Sequence, residues 1–244
     1  MKTAVISGAT AGIGEAAARR FITGGWRVIG TGRRRERLKA LADELGEAFA
    51  PIELDMRDVP AIVEAAKSLP PVDLLINNAG LAPPTDPLQQ ADLDGLTNVI
   101  DTNVTGLVSL TRALLPGLIE RKGAVINLAS IAASYPYKGG AVYAGSKAFV
   151  RQFSLGLRCD LAGTGVRVTS IEPGMVETEF TLVRTAGDQA ASDALYQGMN
   201  PMTAGDIAET IHWVATLPPH LNINALELMP VSQSWAGFAV QREG

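Results

Sequence analysis

Short runs of apolar, often β-branched residues alternate with longer amphipathic stretches along this chain of 244 residues. Several runs are hydrophobic on consecutive residues, which is typical of parallel strands buried on both faces. The alternation predicts right-handed strand–helix–strand units and an α/β sheet covered by helices on both faces. The predicted strands are Thr3–Ser7, Arg27–Thr31, Ala50–Leu54, Val72–Asn77, Ala124–Leu128, Val166–Ile171 and Asn224–Leu228. The predicted helices are Gly14–Thr23, Arg35–Leu45, Asp58–Ser68, Leu93–Glu120, Val142–Leu161 and Ala204–Thr216.

No internal repeat, low-complexity tract or linker interrupts the alternation, so residues 1–244 are predicted to form a single domain. Residues 177–201 are polar and weakly periodic, and a long insertion of this kind in a compact α/β domain is usually a lid or a disordered loop. We predict a substrate lid there. Residues 222–244 are predicted to supply the last strand and a C-terminal tail. The apolar tail residues Trp235 and Phe238 either belong to the core or close the active site of a neighbouring subunit.

The composition argues against several classes of partner. The formal net charge is −4, whereas nucleic-acid binders need clustered positive charge. The most apolar stretch, residues 104–119, carries Arg112 and is too short to span a membrane, so a cytoplasmic location is expected. The single cysteine, Cys159, fits a reducing compartment. His212 and His220 lie near no second histidine or carboxylate cluster in the sequence, so no metal site is expected.

The first predicted strand runs directly into a glycine-rich turn that contains Gly8, Gly12 and Gly14. Glycines permit a tight turn and let backbone amides approach a pyrophosphate, while the following helix N-terminus adds partial positive charge. The spacing is G-x-x-x-G-x-G, not the common G-x-G-x-x-G. Its place between a strand and a helix nevertheless predicts a dinucleotide site. Thr10 and Ile13, in the same turn, are predicted to contact the cofactor.

The end of the second predicted strand indicates which dinucleotide binds. NAD enzymes place an acid there for the ribose 2′-hydroxyl, whereas arginine accommodates a 2′-phosphate. This chain has Gly32 followed by Arg33 and Arg34, which supply bidentate donors for a phosphate. The alternative, a solvated basic start of a helix, is less favoured because positive charge there opposes the helix dipole. The pattern favours NADP(H) over NAD(H).

Two residues one helical turn apart, Tyr143 and Lys147, form a candidate catalytic pair. A free tyrosine has a pKa of ~10 and is a poor base at neutral pH. A neighbouring ammonium favours the phenolate, lowers that pKa and makes the tyrosine a usable acid or base. Most Tyr-x-x-x-Lys pairs are surface residues, so the interpretation depends on the other motifs.

Those other motifs occur in a specific order and spacing along essentially the whole chain. They are Gly8, Gly12 and Gly14, then Asn77-Asn78-Ala79-Gly80, Asn103, Ser130, Tyr143, Lys147 and Pro173-Gly174. In this set the chain resembles the short-chain dehydrogenase/reductase family. The resemblance implies a Rossmann fold with a seven-stranded parallel sheet.

The resemblance also implies a role for each catalytic residue. Tyr143 would exchange a proton with the substrate oxygen, and Ser130 would polarise and position the carbonyl. Lys147 would bind the nicotinamide ribose and lower the tyrosine pKa, while Asn103 would hold a water in the proton relay. Further cofactor contacts are implied for Asp55 at the adenine, Asn77 and Gly80 along the cleft, Pro173 and Gly174 beside the nicotinamide, and Thr178 at the carboxamide.

A closer resemblance rests on Thr31-Gly32-Arg33-Arg34, on residues 147–155 and 171–174, and on the tail segment 222–231. In these segments the chain is similar to NADP-dependent 3-hydroxy acid dehydrogenases, which include serine dehydrogenases and malonic semialdehyde reductases. This implies a small hydroxy acid substrate and a homotetramer. Two alternatives remain at this point: a reductase of sulfoacetaldehyde or of small carbonyls in general, and an NADPH-binding redox-sensing regulator. The regulator needs neither Tyr143 nor Lys147, yet both are present.

An acidic substrate requires a cation near the catalytic residues. Lys138 lies in the loop between Ser130 and Tyr143, and Arg184 lies in the predicted lid, where closure would bring its guanidinium over a carboxylate and exclude water. Each has an alternative as a solvated surface cation. Arg151, one turn after the catalytic lysine, is interpreted as structural.

Overall fold

The computed structural model describes residues 1–235, and its main feature is a parallel β-sheet. Its strands are β1 (Thr3–Ser7), β2 (Arg27–Gly32), β3 (Phe49–Glu53), β4 (Leu74–Asn77), β5 (Ala124–Leu128), β6 (Arg167–Pro173), β7 (Val176–Glu177), β8 (Met202–Thr203) and β9 (Ala225–Leu228). Seven of them form one sheet in the order β3-β2-β1-β4-β5-β6-β9, and every neighbouring pair is parallel. The predicted seven-stranded Rossmann fold is therefore confirmed.

Helices cover both faces of this sheet. They are α1 (Gly12–Thr23), α2 (Arg35–Leu45), α3 (Val59–Lys67), α4 (Leu93–Ile100), α5 (Leu107–Arg121), α6 (Ala141–Asp160), α7 (Glu179–Arg184), α8 (Gln189–Ala194) and α9 (Ala204–Thr216). On one face α1, α2 and α9 bury Phe21, Leu38 and Ile211 against the strands. On the other face α3 and α5 bury Ile62 and Leu118. Each such side chain contributes roughly 1.5–3 kcal/mol of hydrophobic free energy, so the sheet is held from both sides.

The strand order places a crevice at the carboxyl ends of β1 and β4. The chain winds outward from β1 to β3 and then returns to the other side of β1, and ligands of open α/β sheets bind at such a switch point. Hydrogen bonds tie the loops that follow these two strands. The Asn78 side chain donates to the backbone oxygens of Ser7 at 2.9 Å and Gly8 at 3.1 Å. Both loops are thereby held at the mouth of the crevice.

The single long helix predicted over Leu93–Glu120 is observed as α4 and α5, joined by a π-helical segment over Asp101–Gly106. Close packing accompanies this wider turn, because a Cβ on Gly106 would overlap the main-chain carbonyl of Met56. Short π segments inside α-helices occur frequently at functional sites. Here the segment carries Asn103, one of the predicted catalytic residues.

The predicted lid is more regular than its sequence pattern indicates. Residues 177–201 contain the short helices α7 and α8, and the strands β7 and β8 at its two ends pair with each other, Val176 with Met202 and Glu177 with Thr203. The ends of the insertion are therefore fastened together.

The exposure of Trp235 decides between the two alternatives for its position. Trp235 is 64% exposed and its indole nitrogen donates to Glu227 at 3.2 Å, which excludes the core alternative for this residue. Phe238 lies outside the described residues.

Within residues 1–235, none of the helices has the length and hydrophobicity needed to cross a membrane.

Candidate active site

The glycine-rich turn after β1 adopts a conformation that demands glycine. Gly8 and Gly12 have φ angles of 72° and 54°, which side chains other than glycine rarely adopt. A Cβ on Gly14 would overlap the carbonyl oxygen of Gly8. Thr10 is buried within the turn, and Ile13 packs against the core. The turn thus leads closely packed backbone into the N-terminus of α1, the arrangement that accommodates a pyrophosphate.

Arg34, at the start of α2, reaches across to this turn. Its Nε and Nη2 donate to the Thr10 hydroxyl at 3.0 and 2.9 Å, and its Nη1 donates to the lid residue Glu179 at 2.9 Å. Arg33 is exposed beside it. A Cβ on Gly32 would come within 2.6 Å of the Thr10 methyl group, so glycine makes room for the threonine. Two guanidinium groups and a hydroxyl at the end of β2 form a donor set that fits a phosphate monoester.

Three other residues predicted to contact the cofactor, Asp55, Asn77 and Gly80, have different neighbours in the structure. Asp55 is held by Arg57, with a shortest separation of 2.6 Å, and this neighbour lowers the pKa of the carboxyl group. The buried Asn77 side chain donates to Thr111 at 2.9 Å and Asn127 at 2.8 Å. The structure therefore assigns the Asn77 amide nitrogen to a polar network in the core. Gly80 lies against the catalytic residues, as described next.

Four elements bring the predicted catalytic residues together. Ser130 follows β5, and its hydroxyl donates to the carbonyl oxygen of Pro173 at 3.4 Å. Tyr143 and Lys147 share one face of α6, with the lysine Nζ 5.8 Å from the tyrosine ring centroid. A Cβ on Gly80 would lie 3.3 Å from both the Lys147 Nζ and the Asn103 Oδ1. The sequence-predicted tetrad therefore converges on one side of the crevice.

Asn103 is fastened to the helix that carries the tyrosine. Its side chain accepts from Leu81 N at 2.9 Å, donates to Leu81 O at 3.0 Å, and donates to the Ser146 hydroxyl at 3.0 Å. Ser146 in turn donates to the carbonyl oxygen of Tyr143 at 2.7 Å. Ser146 was not singled out from the sequence, although it stands within the Tyr-x-x-x-Lys motif. It links the π segment to the catalytic turn of α6.

Burial is the largest influence on the pKa values of Tyr143 and Lys147. It raises the pKa of Tyr143 to about 12, against the lowering influence of the Ser130 hydroxyl and the Arg184 charge. Burial also lowers the pKa of Lys147 to about 8. Its Nζ donates to the carbonyl oxygen of Leu128 at 2.8 Å. Desolvation of the phenolate is the largest influence on the pKa of Tyr143, and the lowering of that pKa by Lys147 stays a prediction.

The segment after β6 is positioned by the C-terminal part of the chain. The Gly174 amide donates to Leu228 O at 2.8 Å, and the Met175 amide donates to the Gln233 side chain at 2.8 Å. Gln233 was missed by sequence reasoning, which had no signal for a contact 58 residues away. Thr178 caps α7, and a Cβ on Gly12 would lie 3.3 Å from its Cβ. Thr178 therefore packs against the glycine-rich turn.

The structure distinguishes the two candidate substrate cations. Arg184, in α7, donates to the Tyr137 hydroxyl at 3.0 Å, and its guanidinium carbon lies 5.1 Å from the Tyr137 ring centroid. Arg184 is also close enough to Tyr143 for its charge to lower the pKa of that phenol. Lys138 is exposed on the loop before α6. Of the two, Arg184 is the one that lies near Tyr143.

Phe180 and Arg151 complete the surroundings. Phe180, in α7, packs against Tyr143 with ring centroids 5.9 Å apart, so the predicted lid covers this tyrosine. Arg151 hydrogen-bonds to Ser134 and lies 3.4 Å from the buried Glu172 carboxylate. These contacts agree with a structural role for Arg151.

Comparisons with known proteins give consistent matches. The family model described as short chain dehydrogenase matches residues 2–189. The chain is 62% identical to serine 3-dehydrogenase from Rhizobium radiobacter, covering 99% of this chain and 98% of that protein. It is 53% identical to sulfoacetaldehyde reductase 2 from Chromohalobacter salexigens, covering 98% of each. A solved structure of the closed form of serine dehydrogenase complexed with NADP+ superposes with a TM-score of 0.97 at 52% identity, covering 99% of this chain and 100% of that one.

Proposed function

The chain belongs to the short chain dehydrogenase family, and on this premise we propose that it is an NADP(H)-dependent oxidoreductase acting on a small 3-hydroxy acid. It interconverts an acid of the serine, 3-hydroxypropionate or 3-hydroxyisobutyrate type with the corresponding semialdehyde or keto acid. One observation carries the proposal: Arg184 and Phe180, both in α7, bring a cation and a cover to Tyr143. A site of this kind suits a substrate that has both a reacting hydroxyl and an acid group.

In the proposed mechanism, Tyr143 exchanges the proton of the reacting oxygen. During reduction the phenol donates this proton, and the pKa raised by burial keeps it protonated for that purpose. Ser130 orients the carbonyl oxygen with its hydroxyl. Lys147 places a charge beside the phenol, which favours the phenolate once substrate and cofactor are in place. Asn103 and Ser146 hold the catalytic turn of α6 in register.

NADP(H), when bound, supplies the hydride chemistry. Its pyrophosphate would lie along Gly8, Gly12 and Gly14, and its 2′-phosphate would meet Arg33 and Arg34. The superposition with an NADP+ complex supports this assignment. Roles for Asp55 at the adenine, Asn77 and Gly80 along the cofactor, Pro173 and Gly174 beside the nicotinamide, and Thr178 at the carboxamide are also part of the proposal.

For the acid group of the substrate we propose Arg184 as the principal partner. A guanidinium binds a carboxylate through two parallel hydrogen bonds, and Tyr137 holds this one on the tyrosine side of the lid. Lys138 remains a secondary candidate on the neighbouring loop. The same guanidinium would accept a sulfonate, and the 53% identity to a sulfoacetaldehyde reductase favours that substrate as a second candidate.

We further propose a cytoplasmic homotetramer. Leu93, Ile100 and Phe149 are large apolar side chains exposed on the neighbouring helices α4 and α6, which supports a subunit interface there. The lone Cys159 is compatible with a reducing compartment.

The proposed function is tested by steady-state kinetics with both cofactors. The substrates are serine, 3-hydroxypropionate, 3-hydroxyisobutyrate, malonic semialdehyde and sulfoacetaldehyde. We expect a hydroxy acid or its semialdehyde to give the highest kcat/KM, with NADP(H) preferred. A clear preference for sulfoacetaldehyde would support the second candidate instead. NADPH binding without turnover of any substrate would favour the redox-sensing regulator.

A further inference from the structure

Glu179, the first residue of α7, joins the lid to the start of α2. Its carboxylate accepts a hydrogen bond from Arg34 Nη1 at 2.9 Å, and Arg37 Nη1 lies 2.7 Å from both of its oxygens. These partners precede it by more than 140 positions in the sequence. The arginines hold the pKa of the Glu179 carboxyl below its usual value, so it is ionised at neutral pH.

Glu179 and the glycine-rich turn engage different parts of the Arg34 guanidinium. Glu179 takes only Nη1, whereas Nε and Nη2 point to the Thr10 hydroxyl in the glycine-rich turn. The lid carboxylate therefore orients Arg34 without occupying the edge that faces the turn. Arg37, one helical turn further along α2, anchors the carboxylate from the other side.

The same short helix also carries residues that face the substrate. Phe180 follows Glu179 directly and packs against Tyr143, and Arg184 lies at the end of α7 beside Tyr137. Because α7 is only six residues long, displacement of its first residue moves both of these side chains. The position of Glu179 thus affects the site at both ends of the helix.

We propose that Glu179 is a positioning residue, which fastens the substrate lid to Arg34 and Arg37 and thereby couples lid closure to binding of the 2′-phosphate. This coupling rests on the proposed use of NADP(H). The phosphate immobilises Arg34, Arg34 holds Glu179, and Glu179 holds α7 over the catalytic tyrosine. Binding of the cofactor then stabilises the closed position of the lid and, with it, the position of Arg184 beside Tyr143.

The first test measures amide hydrogen exchange of residues 177–201 in the cofactor-free protein. Glu179→Gln and Arg37→Gln each break the anchor, and we expect both to accelerate exchange severalfold. We expect the double variant to show no more acceleration than the larger single effect, since the two residues act through one contact. The control is Glu64→Gln, which breaks an exposed ion pair with Lys67 in α3, on the other face of the sheet. Unchanged lid exchange in both single variants, or additive effects in the double variant, would overturn the proposal.

The second test uses adenosine 2′,5′-bisphosphate, which carries the 2′-phosphate but lacks the nicotinamide, with 5′-AMP as its comparison. In the wild-type protein we expect the bisphosphate to slow lid exchange severalfold and 5′-AMP to leave it unchanged. Glu179→Gln should abolish this difference and raise the KM of the acid substrate several times more than it lowers kcat. If Glu179 acts only through its charge, Glu179→Gln should tighten binding of the bisphosphate and Arg37→Gln should weaken it. Hydrogen exchange in the lid would then be the same in both variants as in the wild type. That result would refute the coupling.

These exchange measurements require no turnover. If the bisphosphate slows hydrogen exchange in the lid but the protein turns over none of the test substrates, the proposed function is contradicted and the coupling is not. If the protein is an active NADP(H)-dependent enzyme but the bisphosphate does not change hydrogen exchange in the lid, the coupling is contradicted and the proposed function is not.

Discussion

The Nζ atom of Lys147 lies 5.8 Å from the ring centroid of Tyr143, and both side chains are buried. Burial acts on the two groups in opposite directions, because it disfavours the phenolate of one and the ammonium of the other. The environment of Tyr143 therefore favours its protonated, acid form. Both groups bear a desolvation cost, and perturbed pKa values of neighbouring buried groups cluster at functional sites.

Tyr143→Phe removes the proposed proton donor and preserves the ring that packs against Phe180. We expect kcat/KM to fall on the order of 10²–10⁴-fold, the usual contribution of a positioned acid or base. The dissociation constant of NADP+, measured by fluorescence titration, should change little. Retention of near wild-type turnover would show that another group transfers the proton.

Lys147→Met should alter the pH dependence of stability. Burial lowers the pKa of Lys147 from 10.5 to about 8, so between these values the unfolded chain binds more protons than the folded one. The buried ammonium lowers the free energy of unfolding fully below pH 8, less as the pH rises, and not at all above pH 10.5. The free energy of unfolding therefore rises by about 3 kcal/mol across this range.

Denaturant unfolding between pH 7 and pH 10 checks this expectation. The wild type should gain stability relative to Lys147→Met as the pH rises, whatever constant difference separates the two proteins. Lys67→Met, which removes an exposed lysine paired with Glu64, should follow the wild-type profile. Parallel profiles for wild type and Lys147→Met would contradict the lowered pKa.

Arg33→Gln tests the assignment of the 2′-phosphate. A charge-assisted hydrogen bond contributes about 1.5–3 kcal/mol, so we expect the dissociation constant of NADP+ to rise at least about tenfold. Binding of NAD+, which lacks the phosphate, should remain unchanged. A larger kcat/KM with NAD(H) than with NADP(H) in the wild-type protein would refute the interpretation of Arg33 and Arg34.

Arg184→Ala tests recognition of the acid group. Loss of a charge-assisted contact should raise KM for acidic substrates about 10- to 100-fold, with a much smaller effect on a neutral aldehyde. Arg27→Ala, at the start of β2 and thus at the opposite end of the strands, serves as a control that changes net charge equally. Equal losses on acidic and neutral substrates would remove Arg184 from anion recognition.

Gly106→Ala should destabilise the protein, because the new Cβ overlaps the main chain of Met56. Overpacking of this kind costs roughly 1–3 kcal/mol, and thermal unfolding measures it directly. Gly117→Ala, in α5 where a Cβ would contact nothing within 4 Å, should instead stabilise the helix by up to about 1 kcal/mol. A neutral Gly106→Ala would show that the π segment relaxes freely.

The predicted α/β fold is confirmed because it depends on a repeated local signal. Buried parallel strands need consecutive apolar residues, and the helices between them need one apolar face, so both can be recognised without tertiary contacts. Gly8 and Gly12 of the first turn were predictable for the same reason, since their positive φ angles are a local requirement. Roles of the individual site residues stay predictions.

The sequence by itself determined the fold class, from short-range patterns, and the family, from short motifs that occur in a specific order along the chain. Only the tertiary structure decided that the Asn77 amide nitrogen belongs to the core, that Asn103 sits in a π segment, and that Arg184 approaches Tyr143. It also brought Glu179 to Arg34, 145 positions away. Such contacts depend on how strands and helices pack, and a pattern with a period of two to four residues carries no information about partners at that distance.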